Sequence, residues 1–338
     1  MNKAVIFFSS LVLLFCITAF QKIYSELSYI PQGWPAPVYN FRKNSPDEKK
    51  IRLGRLLFYD PILSKDNTIS CSSCHSQYNA FAHADHALSH GIEGKIGTRN
   101  APALMNLAWS ENFMWDGSVN HLDMQALAPI SNAIEMNENI GDVILKLQKT
   151  SHYSKLFYEA YGDSGITGEH VLKAFSQFLI TLVSANSRYD KVMRNETQFT
   201  AQEKNGYILF QKNCQSCHTE PLFTNHKFEN NGLAVDDSLR DIGRMNVTGK
   251  PEDSLKFKVP TLRNIEFSFP YMHDGRFKTL NQVINNYTRN IRHSPTLNAK
   301  LAKGIVLSAE EKTDLISFLL TLSDKDFLFD PRFSYLKE

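Results

Sequence analysis

Apolar positions recur at intervals of three and four along most of this 338-residue chain, the spacing of a buried helix face. Val171, Leu172, Phe175, Phe178, Leu179 and Leu182 make the longest such stripe, which predicts a long buried helix joining two halves of the chain. Ser45-Pro46-Asp47-Glu48 reads as a capping-box start with proline at the first helical position, and Ile51, Leu56 and Leu57 follow on one face. Thr200-Ala-Gln-Glu203 and Ser308-Ala-Glu-Glu311 read the same way, each opening an amphipathic run. No stretch alternates at period two. The expected fold is mostly α, with long loops between helices.

The first apolar stretch is of another kind. Lys3 precedes an uncharged run from Ala4 to Phe20, the layout of a secretory signal, with Ile17-Thr18-Ala19 as its small-residue cleavage site. The run also approaches the length of a membrane span, so an uncleaved N-terminal anchor is the alternative. Cys16 reads as an apolar signal residue, because the bulky Phe15 before it fits a lipidation site poorly. Residues 1–20 are therefore expected to target the chain to the periplasm or cell envelope, free or tethered.

An internal repeat organises the rest. Pro102 and Pro260, Leu104 and Leu262, Asn106 and Asn264, and Met114 and Met272 share one offset. The Asp116-Gly117 and Asp274-Gly275 pairs keep it too. Upstream, Gly54-Arg-Leu-Leu-Phe58 resembles Gly206-Tyr-Ile-Leu-Phe210, and each leads into a Cys-x-x-Cys-His motif. Two copies of one fold, residues 40–185 and 186–330, explain this pattern.

Charge and composition narrow the field only by exclusion. The 37 basic and 35 acidic residues give a net charge of +2 with no basic stripe, which excludes a nucleic-acid partner held by counterion release. Hydrophobic content of 42% is enough for packed cores and excludes a disordered chain.

Every cysteine but Cys16 lies in Cys71-Ser-Ser-Cys74-His75 or Cys214-Gln-Ser-Cys217-His218. This spacing suits two thioether bonds to a haem while the adjacent imidazole turns onto the iron. A redox dithiol, a disulfide or a four-cysteine zinc site would use the same sulfurs. Zinc needs no histidine after both pairs, and export leads to the compartment where c-type haem is attached, so two covalent c-type haems are expected.

Several blocks in order carry a resemblance: Leu57-Phe-Tyr-Asp-Pro61, Gly97-Thr-Arg-Asn-Ala-Pro102, Trp115-Asp-Gly117 and Pro270-Tyr-Met-His-Asp-Gly275. From about Pro46 to Asp330 the chain resembles the bacterial di-haem cytochrome c peroxidases and their MauG-like relatives. The resemblance implies two cytochrome c-like domains, the first peroxidatic and the second accepting electrons from a small cytochrome or cupredoxin. It places the distal pocket of the first haem on Gln125, Pro129 and Glu135, with Glu135 as acid/base. His83, His86, His90 and His121 all lie in the first half, and His90, beside Gly91, matches the removable distal ligand. The loop after it is two residues longer than the family's usual spacing.

The same resemblance makes Trp115 a relay between haems, and Asn100 a calcium ligand with carbonyls near Val259 and Thr261. At the second haem, the family's methionine position falls on Tyr287, which shares a helix face with Val283 and Ile284. MauG-like proteins carry a tyrosine ligand there; Met272 is the competitor, although Met114 occupies its place in the other repeat.

Three activities are therefore expected in turn. The first is an exported peroxidase reducing hydrogen peroxide. The second is a MauG-like oxidase acting on a partner protein. The third is a plain electron carrier with both irons six-coordinate. Dimerisation is common in the resembling family.

Overall fold

The computed structural model describes residues 30–163 and 165–337. The apolar run of residues 4–20 and Cys16 lie outside the described residues. None of the described helices is long and apolar enough to cross a membrane. The longer helices are α1 (Glu48–Tyr59), α2 (Ile140–Gln148), α3 (Ser151–Tyr161), α4 (Gly168–Leu179), α5 (Ala201–Asn213), α6 (Leu280–Arg289) and α7 (Ala309–Leu320). Sheet among the described residues is limited to one antiparallel pair, β1 (Phe228–Glu229) with β2 (Phe257–Lys258).

Local sequence explains where these helices start. Thr200 and Ser308 cap α5 and α7 in capping boxes closed by Glu203 and Glu311, as their sequences predict. The start of α1 differs from expectation. Asp47, not Ser45, is its cap and accepts from the Lys49 and Lys50 amides. The Asp47 carboxylate reaches two free N–H groups at once, so Pro46 stays outside the helix.

The stripe at Val171–Leu179 is helical and wholly inward-facing, but α4 does not join the halves. It closes the first half by crossing α1. At that crossing a Cβ on Gly54 would fall 1.9 Å from the Ala174 carbonyl oxygen, so only glycine allows the approach. Phe58 and Phe178 meet beside it, with ring centroids 5.3 Å apart. The second half repeats the arrangement with α5 and α7. A Cβ on Gly206 would lie 1.9 Å from the Asp314 oxygen, and Phe210 meets Phe318 at 5.1 Å.

Two apolar cores result. The first gathers residues from Tyr39 to Leu182, and the second runs from Tyr189 to Leu322. The C-terminal segment returns to the first core, where Phe327, Leu328 and Phe333 are buried. Arg55 and Tyr59 of α1 hold this segment by donating to the Ser334 and Phe333 carbonyls.

Candidate functional site

Each Cys-x-x-Cys-His motif follows the first helix of its half and is wound tightly. The His75 amide donates to the Cys71 carbonyl and the His218 amide to that of Cys214, both at 2.9 Å. The ring Nδ1 of His75 lies 2.7 Å from the Phe81 carbonyl oxygen. That of His218 lies 3.2 Å from the carbonyls of Phe223 and Pro260. A carbonyl only accepts, so in each ring Nδ1 carries the proton and Nε2 keeps its lone pair, the form required of a metal ligand. Burial pushes both imidazoles down to about 4, so they are neutral at pH 7.

The four thiols are free, and burial raises them, Cys71 and Cys214 to about 12. A reactive dithiol needs the opposite shift. Among the described residues no cluster of three or more His, Cys, Asp or Glu is arranged to hold a metal ion, so the four sulfurs do not make one zinc site.

Around the second motif lies a cavity of about 940 Å³, lined by Cys214, Cys217, His218, Met272, Tyr287 and Trp115 among others. Val283, Ile284 and Tyr287 of α6 all face it, as their shared stripe predicts. Burial raises the Tyr287 phenol to about 12, and the Cys214 and Cys217 sulfurs, which line the same cavity, add to this. Met272 takes the left-handed backbone (φ 75°) that Met114 takes (φ 65°) in the first half. Both therefore sit in one kind of turn, whatever else Met272 does.

The lining also includes Lys258. Burial lowers the Lys258 ammonium to about 8. It donates to the Asn112 carbonyl at 3.0 Å, and no carboxylate among the described residues neutralises it. Close by, His226 faces the cavity with Nε2 buried and without a partner. Lys258 and His226, with its spare imidazole nitrogen, share this lining with two thiols and the His218 imidazole, a set that fits a haem bearing carboxylate side chains.

The first motif has a different neighbourhood. Cys74 Sγ lies 3.2 Å from the His90 carbonyl oxygen, so the loop of His83, His86 and His90 passes over this site. The rings of His86 and His90 are 4.2 Å apart between centroids, and His83 is 5.3 Å from His86. The His90 loop is locked to the turn carrying Glu135: Ile92 N donates to the Glu135 carbonyl at 2.9 Å. A Cβ on Gly91 would lie 1.8 Å from the Ile134 oxygen. Pro129 helps build that turn, since its carbonyl accepts from Met136 N at 3.3 Å. Burial raises the Glu135 carboxyl above its ordinary range, against the opposing pull of the Asn132 amide. Glu135 is tied to the motif through this loop, since the Ile92 amide that its carbonyl accepts from follows His90, whose own carbonyl meets Cys74 Sγ. Gln125 has its Nε2 4.0 Å from Sδ of Met114, a residue that lines the cavity of the second motif. His121 lies away from this group, exposed at the start of a short helix where it accepts from Asp123 N.

The halves meet along the loops that carry the sequence blocks. Trp115 donates from Nε1 to the Asn100 carbonyl at 2.9 Å, and its own carbonyl accepts from Lys258 N at 2.7 Å. Asn100 N donates to the His273 carbonyl at 2.7 Å. Arg99 clamps the seam, binding Asp116 at 2.5 Å in the first half and Asp241 at 2.6 Å in the second. Asn100, Val259 and Thr261 all line the cavity. The Val259 carbonyl already accepts the Thr224 hydroxyl at 2.6 Å, and the Asn100 amide donates to the Ala87 carbonyl at 2.9 Å. Sequence reasoning missed Lys258, His226 and Asn231. The one signal for Lys258 was its place beside the repeated proline block.

Two helical halves, each presenting a half-buried Cys-x-x-Cys-His motif with its imidazole set as a ligand, define a c-type cytochrome. The family model for di-haem cytochrome c peroxidase matches residues 48–198. The chain is 35% identical over 309 residues to the cytochrome c peroxidase Ccp of Escherichia coli, covering 89% of this chain and 64% of that protein. It thus spans less than two thirds of that relative. It is 32% identical to the methylamine utilization protein MauG of Methylorubrum extorquens, over 86% of this chain and 82% of MauG. The crystal structure of a MauG-like protein associated with microbial copper homeostasis matches at a TM-score of 0.82 and 32% identity, over 90% of this chain and 98% of that one. The chain belongs to the di-haem cytochrome c peroxidase family, peroxidase-type oxidoreductases whose cofactors are two c-type haems.

Proposed function

We propose that the protein reduces hydrogen peroxide to water at the His75 site, drawing electrons through the His218 site from a small cytochrome or cupredoxin. Each half, descended from one ancestral copy, holds one haem through its cysteines, with His75 or His218 as proximal ligand. When bound, the haems supply the redox chemistry, accepting electrons singly and delivering two to peroxide. The chain's own residues handle protons and position. Glu135, desolvated and tied to the first motif through the His90 loop, takes a proton from one peroxide oxygen and returns it to the departing one. Gln125 orients the peroxide, and His90 gates access to the same place. Trp115, hydrogen-bonded to both sides of the seam, bridges the two electron stations. Asn100, with carbonyls near Val259 and Thr261, offers oxygen ligands for a calcium ion.

The placement of Glu135 carries this reading: its carbonyl accepts from Ile92 N in the loop whose His90 carbonyl meets Cys74 Sγ, and burial raises its carboxyl, the direction that suits a general acid/base. The test is stoichiometric. Two reduced small cytochromes should be oxidised for each peroxide consumed, with saturation in both. Peroxide loss without donor oxidation would overturn it, and a plain electron carrier would consume no peroxide at all.

One observation favours a second reading, a MauG-like oxidase of a partner protein. The Tyr287 hydroxyl faces the cavity that Cys214 and Cys217 also line. An oxygen ligand lowers a haem potential relative to thioether sulfur, which makes the second haem a poorer acceptor from an ordinary donor. Tyr287→Met should raise that potential in spectroelectrochemistry and increase donor-driven peroxide turnover. An unchanged potential in Tyr287→Met and Tyr287→Phe would assign the ring to packing. Export by residues 1–20 to the periplasm or cell envelope, and assembly as a homodimer, complete the proposal.

A further inference from the structure

The cavity around the second motif is lined by Tyr287 and Met272, and one amide touches both. Asn231 Nδ2 lies 3.2 Å from the Tyr287 hydroxyl oxygen and 3.5 Å from Met272 Sδ. This amide is held in orientation. Its Oδ1 accepts from Leu233 N at 3.2 Å, which turns the NH₂ group toward the cavity. The turn around it is fixed as well. Asn230, buried, donates to the Ser294 and Thr296 hydroxyls at 2.9 and 2.8 Å. Its own Oδ1 accepts from Gly232 N at 2.9 Å. Gly232 is left-handed (φ +74°), and a Cβ there would lie 2.6 Å from Ile291 Cγ2.

An NH₂ group has two hydrogens, and here it has two acceptors of unequal quality. A phenol oxygen is a stronger acceptor than a thioether sulfur, and more so as it gathers negative charge. Met272 is also held by its turn, since Gly275 N donates to its carbonyl at 3.2 Å. Resting on the reading of Tyr287 as the cavity's iron-facing donor, we propose that Asn231 is the positioning residue that orients the Tyr287 phenol and moderates its donor strength. Its N–H holds the phenol oxygen at the cavity face and stabilises charge on that oxygen. An outer partner of this kind tunes a ligand's donor strength, and through it the potential of the metal. The first half differs: there Gln125 Nε2 stands 4.0 Å from Met114 Sδ, the counterpart of Met272.

The test uses the holoprotein and reads the second haem directly. Asn231→Leu removes the donor at similar size. The phenol oxygen then becomes a stronger ligand, so the tyrosine-to-iron charge-transfer band should move to longer wavelength. The second haem's midpoint potential should fall, with haem content unchanged. Asn231→Thr, which keeps a hydroxyl donor, should stay nearer to wild type in both readouts. If Asn231→Leu matches wild type in band and potential while Tyr287→Phe alters both, the role of Asn231 is overturned and the tyrosine reading stands. If Tyr287→Phe alters neither, the tyrosine reading falls and takes this proposal with it. Should Asn231→Leu lose haem, the Asn231→Thr comparison decides alone, and a spectrum matching Tyr287→Phe overturns the proposal.

Discussion

Arg263 is fully enclosed, yet it is charged. Its guanidinium forks onto both oxygens of Asp190 at 2.9 and 2.8 Å and donates to the Pro221 carbonyl at 2.8 Å. It also lies 4.6 Å from the Trp34 ring centre. Burial pushes the Asp190 carboxyl upward, but the Arg263 hydrogen bonds and charge outweigh it and hold the group below its usual range. Arg263→Met should therefore cost about 3–5 kcal/mol in denaturant unfolding, because it strands a buried carboxylate. The sign with pH follows from the depressed value. The pair's stabilisation is complete above the ordinary carboxylate value of about 4 and is lost as pH falls through the lower folded value. A stability profile flat from neutral to strongly acid pH would contradict it. At this scale the sequence was legible where chemistry is local. The two Cys-x-x-Cys-His motifs declare themselves within five positions, whereas Arg263, Lys258 and Asn231 act through partners far away in the chain. Glu135 was legible only through family resemblance, since nothing near it in sequence marks it as desolvated.

Helices were readable when their ends carried caps. Thr200 and Ser308 lie where their boxes predict, because a capping box is a contact between neighbours three apart. The stripe of α4 gave its buried face but not its partner, and the expected link between halves proved to be a crossing with α1. Periodicity reports that a face is covered, not by what. The repeat in Gly54 and Gly206 held the missing information, since each glycine lets two helices touch backbone to backbone. Gly206→Ala should drive α5 off α7 and destabilise the second half by about 1–3 kcal/mol. The change should appear in thermal unfolding, and Gly54→Ala should do the same to the first half. Unaltered melting in both variants would show that the crossing yields without strain. The long loops were the least legible part, because their shape rests on hydrogen bonds across the seam, such as Asn100 N to the His273 carbonyl.

Across the whole molecule the two motifs have been given different surroundings. The first has a loop of histidines over it and a desolvated carboxylate tied to that loop. The second has a cavity whose lining includes Lys258, a phenol and a thioether. Arg99 and Trp115 join them across the seam. This asymmetry supports the proposed division of labour, with protons handled at the first site and electrons received at the second. Glu135→Gln separates the two most directly, since it keeps size and shape but removes the proton carrier. With a reduced small cytochrome as donor, kcat/KM for peroxide should fall about 10²–10⁴-fold. The rate at which the same donor reduces the second haem should stay at its wild-type value. Peroxide turnover at the wild-type rate in this variant, or an equal loss of both rates, would contradict the division of labour.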